Sequence, residues 1–233
     1  MANKATLEGM GVSAGHGAFG KVRKINVGGT DFILKTIRSY QVDPAVNEIQ
    51  MLQAVDGSPY VLHMIAGIVF SNRAYILSPY VPGMGLDHWL AAHPGKAERL
   101  RVYNGLLDGL EYIHSKGIIH RDIKPENIWV PTDESLPPFY LDFGISVPTG
   151  TETIYQGTEH YKPAEVYGRG PQMEDLNYYA LGTLFKDHPA PNSALNVNLR
   201  NRSLKPNNVR GKRFSRRQSR RQSRRLRRSR SRR

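Results

Sequence analysis

The sequence predicts an α+β fold in which a small β-rich part precedes a larger, mainly helical part, followed by a disordered basic tail. Three observations carry this. Residues 11–38 are short extended runs punctuated by glycines, the apolar spacing is helical from about Leu86 onward, and the charge changes abruptly near the C-terminus. Of the 233 residues, 33 are Lys or Arg and 20 are Asp or Glu. Residues 1–188 contain all 20 acidic residues and 16 of the basic ones, whereas residues 210–233 hold 14 basic residues and no acid. The net charge of +13 therefore belongs to the tail, on a body of net charge −4.

The elements follow in order. Val12–Ala14, Lys21–Val27 and Phe32–Ile37 read as strands of an antiparallel meander, with Gly15, Gly17, Gly20 and the pair Gly28-Gly29 at the turns. Val46, Ile49, Leu52 and Val55 mark a helix over 44–55, opened by Asp43 as N-cap and Pro44 at its first position. Two short strands follow, near Ile68–Phe70 and Ala74–Leu77. A long helix runs from about Ala97 to Lys116 and stops at Gly117, and another lies near Met173–Lys186. Residues 188–209, rich in Asn and Pro, read as linker. Residues 210–233 contain an Arg-Arg-Gln-Ser repeat and too little apolar surface to offset ordering entropy.

Composition excludes several classes. The chain has no cysteine, which removes disulfides, thiolate zinc sites and a cysteine nucleophile. No apolar run spans a bilayer, and residues 1–11 lack a signal-peptide core. A protein of the nucleus or cytoplasm is expected, with no membrane role and no secretion.

Four phosphate-chemistry signals occur in order. Gly15-His-Gly17-Ala-Phe-Gly20-Lys-Val22 lies between two predicted strands, where glycines let backbone N–H groups approach phosphate oxygens. Lys35 follows on the next strand and Glu48 on the helix after it, a pair suited to holding α- and β-phosphates. His120-Arg-Asp122-Ile-Lys124-Pro-Glu-Asn127 comes just after the Gly117 stop, and Asp142-Phe-Gly144 lies fifteen residues past Asn127. The amide and acid oxygens of Asn127 and Asp142 suit Mg²⁺, a hard cation, and leave Asp122 to accept a proton from an attacking hydroxyl.

Together these residues resemble the eukaryotic-type Ser/Thr protein kinases over roughly residues 10–187. The resemblance implies a two-lobed fold, with residues 1–81 as N-lobe and hinge and 82–187 as a shortened C-lobe. It implies ATP and Mg²⁺ as cofactors and a protein substrate. Asp122 becomes the catalytic base, Lys124 a γ-phosphate contact, Asn127 and Asp142 the metal ligands, and Lys35 with Glu48 the phosphate clamp. Gly15, Gly17, Gly20 and Val22 would cover the nucleotide. Ile33, Ser78, Pro79, Val81 and Trp129 would surround its base. Gly157-Thr158, Tyr161 and Glu165 look like the end of an activation segment, and Arg121 matches kinases switched by phosphorylation there. Thr149, Thr151, Thr153 and Thr158 are the regulatory candidates.

The sequence departs from the family at three places. Ile33 and Trp129 add bulk to the adenine pocket, where overfilling costs about 1–3 kcal/mol; Ser78 is small and opens its rear. Pro79 has no N–H, but the family uses that residue's carbonyl. Asn177 stands where an aspartate braces the catalytic loop, so a charge-assisted hydrogen bond becomes neutral. Residues 188–209 are too few and too polar to supply the remaining helices. An uncovered apolar underside is therefore expected on the helices near 97–116 and 173–187, fit for a protein partner or self-association.

The tail is an electrostatic handle for nucleic acid or nucleoprotein. Its Arg/Ser pattern is similar to Arg-Ser domains of nuclear RNA-binding proteins and to protamine-like peptides. Shortened kinases with such tails resemble virus-encoded proteins, which adds a host cell and virion association to the expectation. Ser219 and Ser223 lie in Arg-Arg-x-Ser sites and are candidate substrates in cis. Two other functions fit the same residues: a pseudokinase scaffold with an occluded adenine pocket, and a nucleic-acid packaging protein with a vestigial kinase body.

Overall fold

The computed structural model describes residues 12–17, 20–38, 42–70, 73–93, 95–163 and 168–190. The expected tail, Ser219, Ser223 and Glu165 lie outside the described residues, as do 191–209 of the expected linker.

The glycine-punctuated N-terminal segments form strands β1 (Val12–Gly17), β2 (Gly20–Val27) and β3 (Thr30–Arg38). With β4 (Ala66–Phe70) and β5 (Arg73–Pro79) they build an antiparallel sheet of order β1-β2-β3-β5-β4. Gly28 and Gly29 make the β2–β3 turn at φ of 61° and 85°, left-handed values that favour glycine. One face of this sheet carries Ile37, Ala74 and Ile76 into the core beneath helix α1 (Val42–Ala54), which contributes Ala45, Ile49, Leu52 and, just after its end, Val55. The helix begins at Val42, ahead of the expected Asp43 cap, so Asp43 lies within its first turn.

The larger part contains α2 (Leu86–Ala92), α3 (Lys96–Ser115) and α4 (Glu174–Asp187). Helix α3 buries Val102, Leu106, Leu110 and Ile113, a 3–4 residue spacing that keeps one face on the core. Gly117, at φ 69°, ends it by donating its N–H to the His114 carbonyl. Seven short strands, absent from the sequence expectation, complete this part. They are β6 (Gly83–Gly85), β7 (Ile118–Ile119), β8 (Ile128–Pro131), β9 (Phe139–Tyr140), β10 (Val147–Pro148), β11 (Glu152–Ile154) and β12 (Arg169–Pro171). They form ribbons β6-β8-β9, β7-β10 and β11-β12.

Of the expected apolar underside near 97–116 and 173–187, the described residues leave one large apolar side chain exposed, Met173, just before α4. No large apolar side chain of α3 or α4 is exposed. Tyr103 of α3 stacks on Phe185 of α4 at 4.0 Å between ring centroids and donates its hydroxyl to the His188 carbonyl. Exposed apolar side chains lie elsewhere, among them Ile68, Val69 and Phe70 on edge strand β4, Ile154 on β11 and Met173 just before α4. No helix among the described residues is long and apolar enough to cross a membrane.

Candidate active site

Strand alternation groups the predicted site residues of β2, β3 and β5. In the β3–β5 register Ile33 faces Ser78 and Lys35 faces Ile76, so Ile33 and Lys35 share one face of β3. Val22 of β2 pairs with Lys35. Gly15 and Gly17 lie on β1, and Gly17 pairs with Gly20. Gly20 is a close-approach position, because a Cβ there would lie 2.3 Å from the Thr36 carbonyl oxygen.

Lys35 Nζ donates to both carboxylate oxygens of Glu48, at 2.7 and 2.8 Å, and reaches Asp142 Oδ1 at 3.4 Å. Burial alone would lower the lysine's pKa, but the two carboxylates outweigh it and raise it, keeping the ammonium charged. Burial also pushes the Glu48 carboxyl up, and Lys35 opposes that. Residues from β3, α1 and the β9–β10 loop thus converge on one ionic cluster.

Asp122 sits on the loop after β7. Its Oδ1 accepts from the Thr158 N–H at 3.0 Å and the Thr158 hydroxyl at 2.7 Å. Its Oδ2 accepts from Asn127 Nδ2 at 2.9 Å and lies 3.0 Å from Lys124 Nζ. Burial would raise this carboxyl, but the hydrogen bonds from Thr158 and Lys124 win and hold it below the usual aspartate range. Asp122 is therefore an ionised acceptor at neutral pH. Because the Asn127 nitrogen is used on Asp122, its amide oxygen is the atom that could hold a hard cation, as the Asp142 carboxylate could.

Thr158, expected as a regulatory threonine, lies inside this cluster and also accepts from Lys124 Nζ at 3.0 Å. Thr149, Thr151 and Thr153 lie apart from it. Thr149 is exposed, Thr151 donates to the Pro148 carbonyl, and Thr153 lies on β11. Arg121 donates to the carbonyls of Ile145 (3.0 Å) and Ile154 (2.5 Å), spanning the segment that carries these threonines.

At the other end of the cleft, Pro79 ends β5 and Trp129 lies on β8. The Trp129 indole N–H donates to the Val81 carbonyl at 3.1 Å, a tie that sequence spacing does not announce. Ser78 is buried, and its hydroxyl has no protein partner.

The brace predicted at Asn177 is present. Its Oδ1 accepts from the Arg121 backbone N–H at 3.0 Å, and its Nδ2 meets His114 Nε2 at 3.0 Å. Since Nδ2 is a donor, His114 Nε2 must accept, so the ring is neutral with its proton on Nδ1. Burial lowers its pKa from 6.5 to about 4, with half-exposed Glu174 at 3.8 Å too solvated to reverse this. The folded value lies below the unfolded one, so the unfolded chain takes up the proton first as pH falls. The stabilisation is complete above about pH 6.5 and is lost toward pH 4, by at most ~1.4 kcal/mol per pH unit. Urea unfolding of the protein and of His114→Gln should show a stability difference that shrinks across this window. A difference independent of pH would refute the assignment.

The sequence matches the family model described as a protein kinase domain over residues 10–213. A probable cAMP-dependent protein kinase catalytic subunit of Encephalitozoon cuniculi is 30% identical over 183 residues, covering 73% of this chain and 56% of that protein. A cAMP-dependent protein kinase catalytic subunit-like protein of Caenorhabditis briggsae is 29% identical, covering 74% and 47%. The cAMP-dependent protein kinase type 3 of Saccharomyces cerevisiae is 30% identical over 181 residues, covering 73% and 45%. The chain thus spans about half the length of these curated relatives.

Proposed function

This chain belongs to the protein kinase domain family, and from that premise we propose that it is a Ser/Thr protein kinase using Mg-ATP. What supports the reading is a pair of neighbouring clusters: Lys35 holds Glu48 and reaches Asp142, while Asp122 accepts from Asn127, whose carbonyl takes the Leu141 N–H next to Asp142. Lys35, held by Glu48, binds phosphate oxygens, and the glycines of β1 and β2 cover them. Asn127 and Asp142 would hold Mg²⁺, which supplies charge neutralisation on the phosphates when bound. Asp122 orients the acceptor hydroxyl and takes its proton, while Lys124 and Thr158 hold that carboxylate in place. Residues 1–81 then act as the N-lobe with its hinge and residues 82–187 as a shortened C-lobe.

The test is phosphate transfer from labelled ATP to a basic protein by the full chain, with and without Mg²⁺. Asp142→Ala should abolish transfer while leaving the far-ultraviolet circular dichroism unchanged. Equal incorporation by both proteins would sink the kinase reading.

A second function is favoured by the 14 positive charges in residues 210–233. They form a counter-charge for nucleic acid, and Ser219 and Ser223 are acceptors through which phosphorylation would weaken that attraction. Deleting residues 210–233 should abolish DNA and RNA binding and leave phosphate transfer intact. Binding by the full chain should fall with salt at a log–log slope near −0.9 per neutralised phosphate on duplex DNA. Salt-insensitive binding refutes the handle.

A further inference from the structure

Asn47 directly precedes Glu48 on α1, and its side chain leaves the helix toward the turn that follows Asp142. Its Nδ2 lies 2.8 Å from the Ser146 carbonyl, 3.0 Å from that of Gly144 and 3.4 Å from that of Phe143. Three carbonyls can be met only by the amide nitrogen, whose two protons serve the two nearer oxygens. Asp142 itself has φ 60°, a left-handed value that a non-glycine residue keeps only when its surroundings enforce it. From the opposite side Arg121 takes the Ile145 carbonyl, and the Ser146 hydroxyl donates to the His120 carbonyl. The four successive backbone carbonyls 143 to 146 thus lie within reach of two side chains, Asn47 and Arg121, from separate parts of the chain.

We propose that Asn47 is a positioning residue that latches α1 to the Asp142 turn, so that Glu48 and Asp142 keep a common register on Lys35. This rests on the kinase reading for its effect on rate, but the latch itself is a contact between two segments. Asn47 touches no reacting atom. It acts through the placement of Glu48, one residue along the helix, and of Asp142, one residue before the gripped turn.

The experiment compares the full chain with Asn47→Leu and Asn47→Asp, both close to asparagine in size. Leucine removes the donors, and aspartate sets a carboxylate against carbonyl oxygens. With Mg-ATP and a basic acceptor protein, kcat should fall about tenfold for Asn47→Leu and further for Asn47→Asp. In a Glu48→Gln background, adding Asn47→Leu should cost less than twofold, because both act through one register. Equal rates for the two single variants, or an undiminished loss in that background, would overturn the latch as more than space filling. If Asn47→Leu does not fold, Asn47→Ala serves in the same comparisons. Amide hydrogen exchange is read on the same proteins and needs no activity. Faster exchange in both 42–54 and 143–146 on losing the amide supports the latch, and unchanged exchange overturns it. A wild-type chain that transfers no phosphate would remove the kinase reading and leave the exchange result to decide the latch.

Discussion

Asparagine in place of Asp122 is expected to slow phosphate transfer by ~10³-fold, within the span attributed to a positioned general base. The substitution keeps the shape of the side chain and removes its ability to take a proton. It also disturbs the local hydrogen bonding. The carboxylate receives the Thr158 N–H and hydroxyl on one oxygen and Asn127 and Lys124 on the other. An amide offers only one oxygen, so two of these donors would face an N–H₂ group. The initial rate of transfer, measured beside circular dichroism, decides the matter. A rate within tenfold of the parent would remove Asp122 from the role of base.

Alanine at Gly157 should cost ~10²-fold in kcat/KM, the scale expected when reacting groups are displaced by about 1 Å. Gly157 has φ +117°, and a Cβ there would lie 2.3 Å from the Arg121 carbonyl oxygen. That oxygen cannot easily retreat. Arg121 is at φ 74°, its N–H is bound by Asn177, and its guanidinium is tied to Ile145 and Ile154. The segment must therefore move, taking Thr158 away from Asp122. Gly150→Ala is the control, since φ there is +81° but no atom lies within 4 Å of a built Cβ. It imposes backbone strain without the collision, and transfer should be nearly unchanged. Equal losses in both variants would show that strain alone is responsible.

The long-period elements were legible in the sequence, and the short ones were not. Helix α3 shows its apolar face over 20 residues and its stop at Gly117, and β2 and β3 show their turn at Gly28-Gly29. Strands such as β7 and β10 have two residues each, too few to display any period. The core of the site was legible because Lys35, Glu48, Asp122, Asn127 and Asp142 lie in recognisable local motifs. The contacts of Thr158 with Asp122, 36 residues away, and of Asn47 with Ser146, 99 residues away, have no local signature. They arise when separate loops pack. The uncovered helix faces were expected from chain length and charge alone, which say nothing of how closely Tyr103 and Phe185 meet.

The chain has two tryptophans, and their settings differ. Trp89 is buried in α2 and stacked on His93, with ring centroids 4.5 Å apart. Trp129 holds the Val81 carbonyl through its indole N–H. The protein therefore carries its own optical reporter. A ligand entering beside Val81 would alter the polarity and hydrogen bonding of Trp129. In Trp89→Phe the whole tryptophan fluorescence comes from Trp129, so its wavelength would report any change at the tie between β8 and Val81 without any attached dye.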